Sequence, residues 1–156
     1  MNNLFVSVLF LVGIQLSANA KTFKLNKLEF DIKTNVPGVE FRGHLKRPIQ
    51  FDPKQGLLIP LEDLTTELDL RDQHMREKIF KGQKIRVHGI LKCKTSGDCI
   101  FKGPIVIGGI SKNIELKGKK GVFSTSIFLS QFELTPPRFM GVQVNDEIPI
   151  RFIIDL

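Results

Sequence analysis

Apolar and polar residues alternate with a period of two along most of the chain beyond residue 21, the spacing of half-buried β-strands. Leu28, Phe30 and Ile32 alternate with Glu29, Asp31 and Lys33, and Val39, Phe41 and Leu45 with Glu40, Arg42 and His44. Leu57, Ile59 and Leu61 continue the pattern, and Ile85, Val87 and Leu91 take one phase against Arg86, His88 and Lys92. A return arm over 100–107 is interrupted by Gly103-Pro104. Ile114 and Leu116 mark the next strand, 122–129 another, and Ile148, Ile150, Phe152 and Ile154 close the pattern. About eight strands result, divided by turn sequences such as Val36-Pro37-Gly38 and residues 52–56. The fold class is all-β, a sandwich or a closed antiparallel barrel. Closure removes the exposed edges that invite aggregation. An eight-stranded barrel is just wide enough to be filled by side chains or to hold one ligand.

Two segments break the alternation. Residues 63–80 hold good helix formers and no Gly or Pro, with Leu64, Leu68, Met75 and Ile79 spaced to share one helical face. They predict a short helical insertion between strands. Residues 130–141 contain Pro136-Pro137, which predicts irregular structure. No repeat or linker divides the chain, and 156 residues make one ordinary domain.

The first twenty residues carry no charged side chain, 4–16 are largely apolar, and Ala18-Asn19-Ala20 is a small-x-small cleavage pattern before Lys21. This is the layout of a secretory signal peptide, cleaved after Ala20. The apolar stretch is shorter than the ~20 residues of a spanning helix. The expected organisation is a signal peptide over 1–20 and a β-barrel domain over 21–156, in a periplasmic or secreted protein. In an oxidising compartment Cys93 and Cys99, flanking a polar turn sequence, are expected to form a disulfide stapling a hairpin near its tip. A redox pair or half a metal site is the other reading, but metal motifs use closer pairs and further ligands.

Charge narrows the partners. The net charge of +7 falls on the part beyond the signal, with lysines grouped at 21, 24 and 27, at 92 and 94, and at 117, 119 and 120. Such a surface suits anionic partners such as phospholipid or pyrophosphate head groups, or serves only as a solvated face. An exported protein rarely meets nucleic acid, so none is expected. Phe occurs 13 times, while Trp and Tyr are absent. The interior rings therefore need no hydrogen-bond partner and can face a cavity.

The chain lacks the short signatures of serine hydrolases, zinc hydrolases, phosphate loops and dinucleotide folds. His44, His74 and His88 have no metal-ligand spacing. No catalytic residue, cofactor or metal is assigned. The densest charge is in 61–77, where Arg71, His74 and Arg76 could hold an anionic head group through guanidinium forks. Asp72 and Arg71 could instead pair internally or cap backbone.

The same stretch, L-x-x-L-T-T-x-L-x-L-R-D-Q-H-M-R-E, resembles the central motif of the YceI-like family of bacterial periplasmic proteins. Residues 105–116 are similar to that family's strand-turn-strand signature. Leu129-Ser130-Gln131-Phe132, Pro136-Pro137 and the run from Met140 to Glu147 are similar to its late motifs. The resemblance covers nearly all of 21–156. It implies an extended eight-stranded antiparallel lipocalin-like barrel that binds polyisoprenoids inside. The family's late phenylalanine–glycine step is Phe132-Glu133 here, which is expected to alter that end of the pocket. The absence of Trp makes the likeness to lipocalins architectural only.

Under this reading the tunnel-lining candidates are Phe30, Phe41, Leu45, Leu68, Met75, Val87, Leu91, Phe101 and Phe128. For each, ordinary core packing is the competing role. The expected function is non-catalytic binding or carriage of an isoprenoid lipid or isoprenoid quinone, with an anionic membrane surface as a further partner. The alternative is a barrel filled by side chains that binds an anionic partner through its basic surface.

Overall fold

The computed structural model describes residues 23–52 and 55–155. The expected signal segment and its cleavage site lie outside them. Strands in chain order are β1 (Lys24–Lys33), β2 (Glu40–Leu45), β3 (Ile49–Gln50), β4 (Leu57–Ile59), β5 (Leu64–Thr65), β6 (Ile85–Val87), β7 (Ile90–Cys93), β8 (Asp98–Ile107), β9 (Ile110–Lys119), β10 (Val122–Phe128), β11 (Arg138–Phe139), β12 (Val142–Gln143) and β13 (Glu147–Asp155). One helix, α1 (Asp69–His74), runs into a wider turn over Met75–Ile79.

Eleven strands form one antiparallel sheet, ordered β4-β6-β8-β9-β10-β13-β1-β2-β5, with β3 also on β1 and β7 also on β8. The sheet curls into a half-barrel of the lipocalin-like all-β kind. Its two edge strands, β4 and β5, are joined directly through Pro60 and the 3-10 turn Leu61–Asp63. Each of the eight expected strands is present. The higher count reflects interruptions. Strands β2 and β3 both pair with β1 and are parted by the stretch that contains Pro48, which has no N–H to donate to a ladder. Strands β6 and β7 both pair with β8 and are parted at His88-Gly89. There the chains approach so closely that a Cβ on Gly103 would meet the backbone of His88 and Gly89, and one on Gly89 would meet the Lys102 carbonyl. Only glycine permits that approach.

Period-two burial follows the sequence pattern along β1, where Leu25, Leu28, Phe30 and Ile32 are buried. The register slips between Leu25 and Lys27 against β13. The slip explains why the inward residues step from Leu25 to Leu28 rather than by twos.

Three expectations are corrected here. The helical insertion is shorter than 63–80, because Leu64 and Thr65 form β5 and Leu68 is extended ahead of α1. β-Branched Thr65 and Thr66 favour strand, and the Asp72 carboxylate reaches back to hold them there. Its Oδ1 accepts from the Thr66 N–H and hydroxyl, both at 2.7 Å, and its Oδ2 from the Thr65 hydroxyl at 2.6 Å. Second, residues 130–141 are not wholly irregular. A 3-10 turn spans Leu129–Phe132, and β11 and β12 make a small hairpin. Third, Glu133 lies off the cavity wall. It caps the 3-10 turn with φ 55°, the left-handed conformation that glycine adopts freely, and its side chain is exposed.

Cys93 and Cys99 stand opposite each other on β7 and β8 and form the expected disulfide. It closes the polar turn, where the Ser96 hydroxyl donates to Asp98.

Candidate functional site

The barrel is hollow. A cavity of about 1080 Å³ runs along its axis, above the ~300–1,000 Å³ of ordinary small-molecule pockets. This volume separates the structure from a barrel filled by its own side chains.

Among the strands, β1, β8 and β13 contribute the most residues to the wall, all of them aliphatic or aromatic. The floor is aromatic. Phe23 stacks on Phe51 with ring centroids 4.2 Å apart, and meets Phe101 edge-on at 6.4 Å. Both arrangements suit the ring quadrupole. Lining residues that stay exposed mark the mouth: Leu68, Leu70, His74, Lys78, Thr135, Arg138 and Met140.

The mouth is built on α1. Residues 71, 74, 75 and 78 fall on one helical face, so Arg71, His74, Met75 and Lys78 all line the cavity. Met75 is buried, and the Arg71 guanidinium sits 3.9 Å from the centroid of the Phe41 ring, within cation–π range. Asp72 lies on another face and ties α1 to β5 and Thr66. Burial opposes its ionisation most strongly. The two threonine hydroxyls, the Thr66 N–H and the charge of Arg76 outweigh that, and hold the carboxyl below its ordinary value.

The expected lining residues divide. Phe30, Phe41, Leu68, Met75, Val87 and Phe101 line the cavity. Leu45 is buried but does not, because its partner across the ladder, Leu64, takes the place at the wall. Leu91 is half-buried opposite Phe101, and it is the Phe101 side chain that reaches the cavity. Phe128 is exposed. Thr125 and Ile127 hold the inward phase of β10, so residue 128 faces outward. Of the head-group candidates, Arg71 and His74 line the mouth. Arg76 does not, lying off their helical face beside a small separate hollow with Glu62 and Lys84.

Sequence reasoning missed Lys78 and Arg138. Lys78 was legible, since it follows His74 by four positions and Arg71 by seven. Arg138 was not, because it follows Pro136-Pro137 where no periodicity operates. The floor residues Phe23 and Phe51 lie outside the alternating runs. Among the described residues, every ionisable one lining the cavity is basic, namely Arg71, His74, Lys78 and Arg138. Among the described residues, no three His, Cys, Asp or Glu side chains gather where they could hold a metal ion.

No protein-family model matches the chain, and no curated protein matches it in sequence. Solved structures do match in fold. BcnA of Burkholderia cenocepacia has a TM-score of 0.56 at 12% identity, covering 83% of this chain and 96% of its own. A polyisoprenoid binding domain from Saccharophagus degradans, implicated in plant cell wall breakdown, has a TM-score of 0.52 at 12% identity, covering 85% and 95%. The YCEI protein of Campylobacter jejuni has 17% identity and a TM-score of 0.46, covering 99% and 88%. The chain shares its fold with BcnA and with that polyisoprenoid binding domain.

Proposed function

We propose that the protein binds a long isoprenoid lipid, an isoprenoid quinone included, inside its barrel and carries it without chemical change in a bacterial periplasm. The observation that carries this reading is the cavity. Its wall is predominantly apolar, broken by a few threonines such as Thr125, and its basic side chains lie at the mouth. A fold neighbour described as polyisoprenoid-binding supports the same choice of ligand. A signal peptide over 1–20, cleaved after Ala20, accounts for export.

Burial of an isoprenoid chain contributes on the order of 0.8 kcal/mol per CH₂. Ordering the chain offsets much of this, since tens of carbons summed naively would exceed known affinities. Such binding needs no bond-making group. Arg71 and His74 stand where the chain would emerge and would meet its polar end. The charge of +7 favours an anionic membrane surface as a second partner.

Native mass spectrometry with organic extraction, on protein recovered from a bacterial periplasm, tests the reading. A prenyl lipid or quinone at near-stoichiometric amount is expected. A bare protein that also fails to take up added prenyl lipids would overturn it.

A further inference from the structure

Apolar side chains left in water gather at the mouth. Leu68, Leu70 and Met140 line the opening yet stay exposed, Met140 to 87%. Met140 and Gly141 form the two-residue turn of the β11–β12 hairpin, with φ of 47° and 82°. Such turns favour Asn and Gly, so a long apolar side chain there loses stability and gains no packing. Val36 and Val39 are also exposed, on a loop beside the hairpin. Their loop is tied to the hairpin through Asn35, whose N–H donates to the Gln143 carbonyl at 2.9 Å and whose Oδ1 accepts from the Gln143 N–H at 2.7 Å. The other exposed large apolar residues, Ile90, Ile100 and Phe128, do not line the cavity.

The ionisable residues on the lining of the opening are basic, Arg71, His74, Lys78 and Arg138, while the acidic Glu67 and Asp69, exposed on either side of Leu68, stay off the lining. Contiguous exposed apolar residues with basic neighbours are the composition of a surface that enters a lipid interface.

We propose that this rim is a docking face for an anionic lipid bilayer. Leu68, Leu70 and Met140 enter the acyl boundary, and Lys78 and Arg138 meet lipid phosphates. Docked this way, the mouth opens into the hydrocarbon and a lipid chain passes from bilayer to cavity without crossing water. The inference rests on the cavity being a lipid site and adds the route of entry.

To test it, the full chain is expressed in an exporting bacterial host, and the N-terminus of the soluble product is read by mass. Flotation is measured with phosphatidylcholine vesicles, with and without phosphatidylglycerol. Binding is expected only with phosphatidylglycerol and is expected to weaken with salt. The double variant Leu70→Asp/Met140→Asp is expected to lose about tenfold in partitioning, and Lys78→Glu about fivefold or more. Ile90→Asp, equally exposed on the wall, is expected to bind like wild type, with melting curves confirming each fold.

Equal binding to neutral vesicles, or equal loss in Ile90→Asp, would overturn the proposal. Uptake of a prenyl lipid from cyclodextrin reads the cavity separately. Uptake without vesicle binding overturns docking and leaves the cavity reading standing. Vesicle binding without uptake supports docking and removes the cavity reading. Self-association lost in the double variant, with no vesicle binding, would assign the rim to a second protein chain and overturn the proposal.

Discussion

At one end of the barrel, the rings of Phe23, Phe51 and Phe101 line the cavity near a disulfide-linked hairpin; at the other, a short helix and a two-residue hairpin turn surround its mouth. The first end is the meeting of long strands. Asp98 pairs with Lys119, Val122 with Ile153, and Lys24 with Asp155, so its shape follows from continuous ladders. The mouth is assembled from short pieces remote in sequence and joined by side chains. Asp72 fastens α1 to Thr65 and Thr66, Asn35 fastens the 36–39 loop to β12, and Asp146 accepts from the Ser130 hydroxyl and N–H. A barrel can therefore keep its wall rigid while its mouth is held by a few polar contacts. Such regions open locally at lower free energy than the core.

Breaking the long-strand end should have the largest effect. Phe123 is 1% exposed, stacks on Phe152 and covers Gly118. Phe123→Ala is expected to lose about 3–5 kcal/mol of global stability in urea denaturation. Asp72→Ala is expected to lose about 2–3 kcal/mol, because it strands three buried donors. Hydrogen exchange should localise that loss to α1 and its neighbours while β8, β9 and β13 stay protected. Uniform loss of protection would erase the distinction between the two ends.

The same carboxyl sets a pH dependence. Its folded pKa lies below the ordinary 3.8. The unfolded chain therefore binds more protons over the interval between the two values. The stability Asp72 contributes is fully present above the ordinary value and is lost as pH falls through the folded one. Glu29 and Glu115, held low chiefly by hydrogen bonds from Lys27 and Lys102, act in the same direction from the surface. Asp72→Asn should flatten the acid limb of the stability curve. An unchanged limb would show that Asp72 does not set it.

Cys93→Ser should lose about 2 kcal/mol, the loop-closure value for so short a loop, without changing lipid uptake, since neither cysteine lines the cavity. The smallest effect is a gain. Glu133→Gly relieves a left-handed residue and should stabilise by about 1 kcal/mol, read as a rise in melting temperature. A fall would mean that the exposed Glu133 side chain makes a favourable contact.

Much of the wall was legible in the sequence. Alternation along β1 and β8 placed Phe30 and Phe101 correctly, because a strand's period is local and each inward residue is the second neighbour of the last. Phe128 was assigned to the wrong phase of its own strand. Leu45 and Leu91 were in the right phase, but a neighbour across the ladder reaches the cavity in their place, and such partners are remote in sequence. The helical insertion was drawn too long because propensity alone cannot show that Asp72 draws Thr65 and Thr66 into extended backbone.

The sequence by itself determined an antiparallel all-β domain, a stapled cysteine hairpin and a basic helical stretch beside a barrel, since each depends on residues a few positions apart. Only the tertiary structure decided that the barrel is hollow, that Phe23, Phe51 and Phe101 form its floor, and that Arg138 and Met140 join α1 at one opening. Those facts depend on how far the sheet curls and on which distant segments its curvature brings together. No local pattern encodes either.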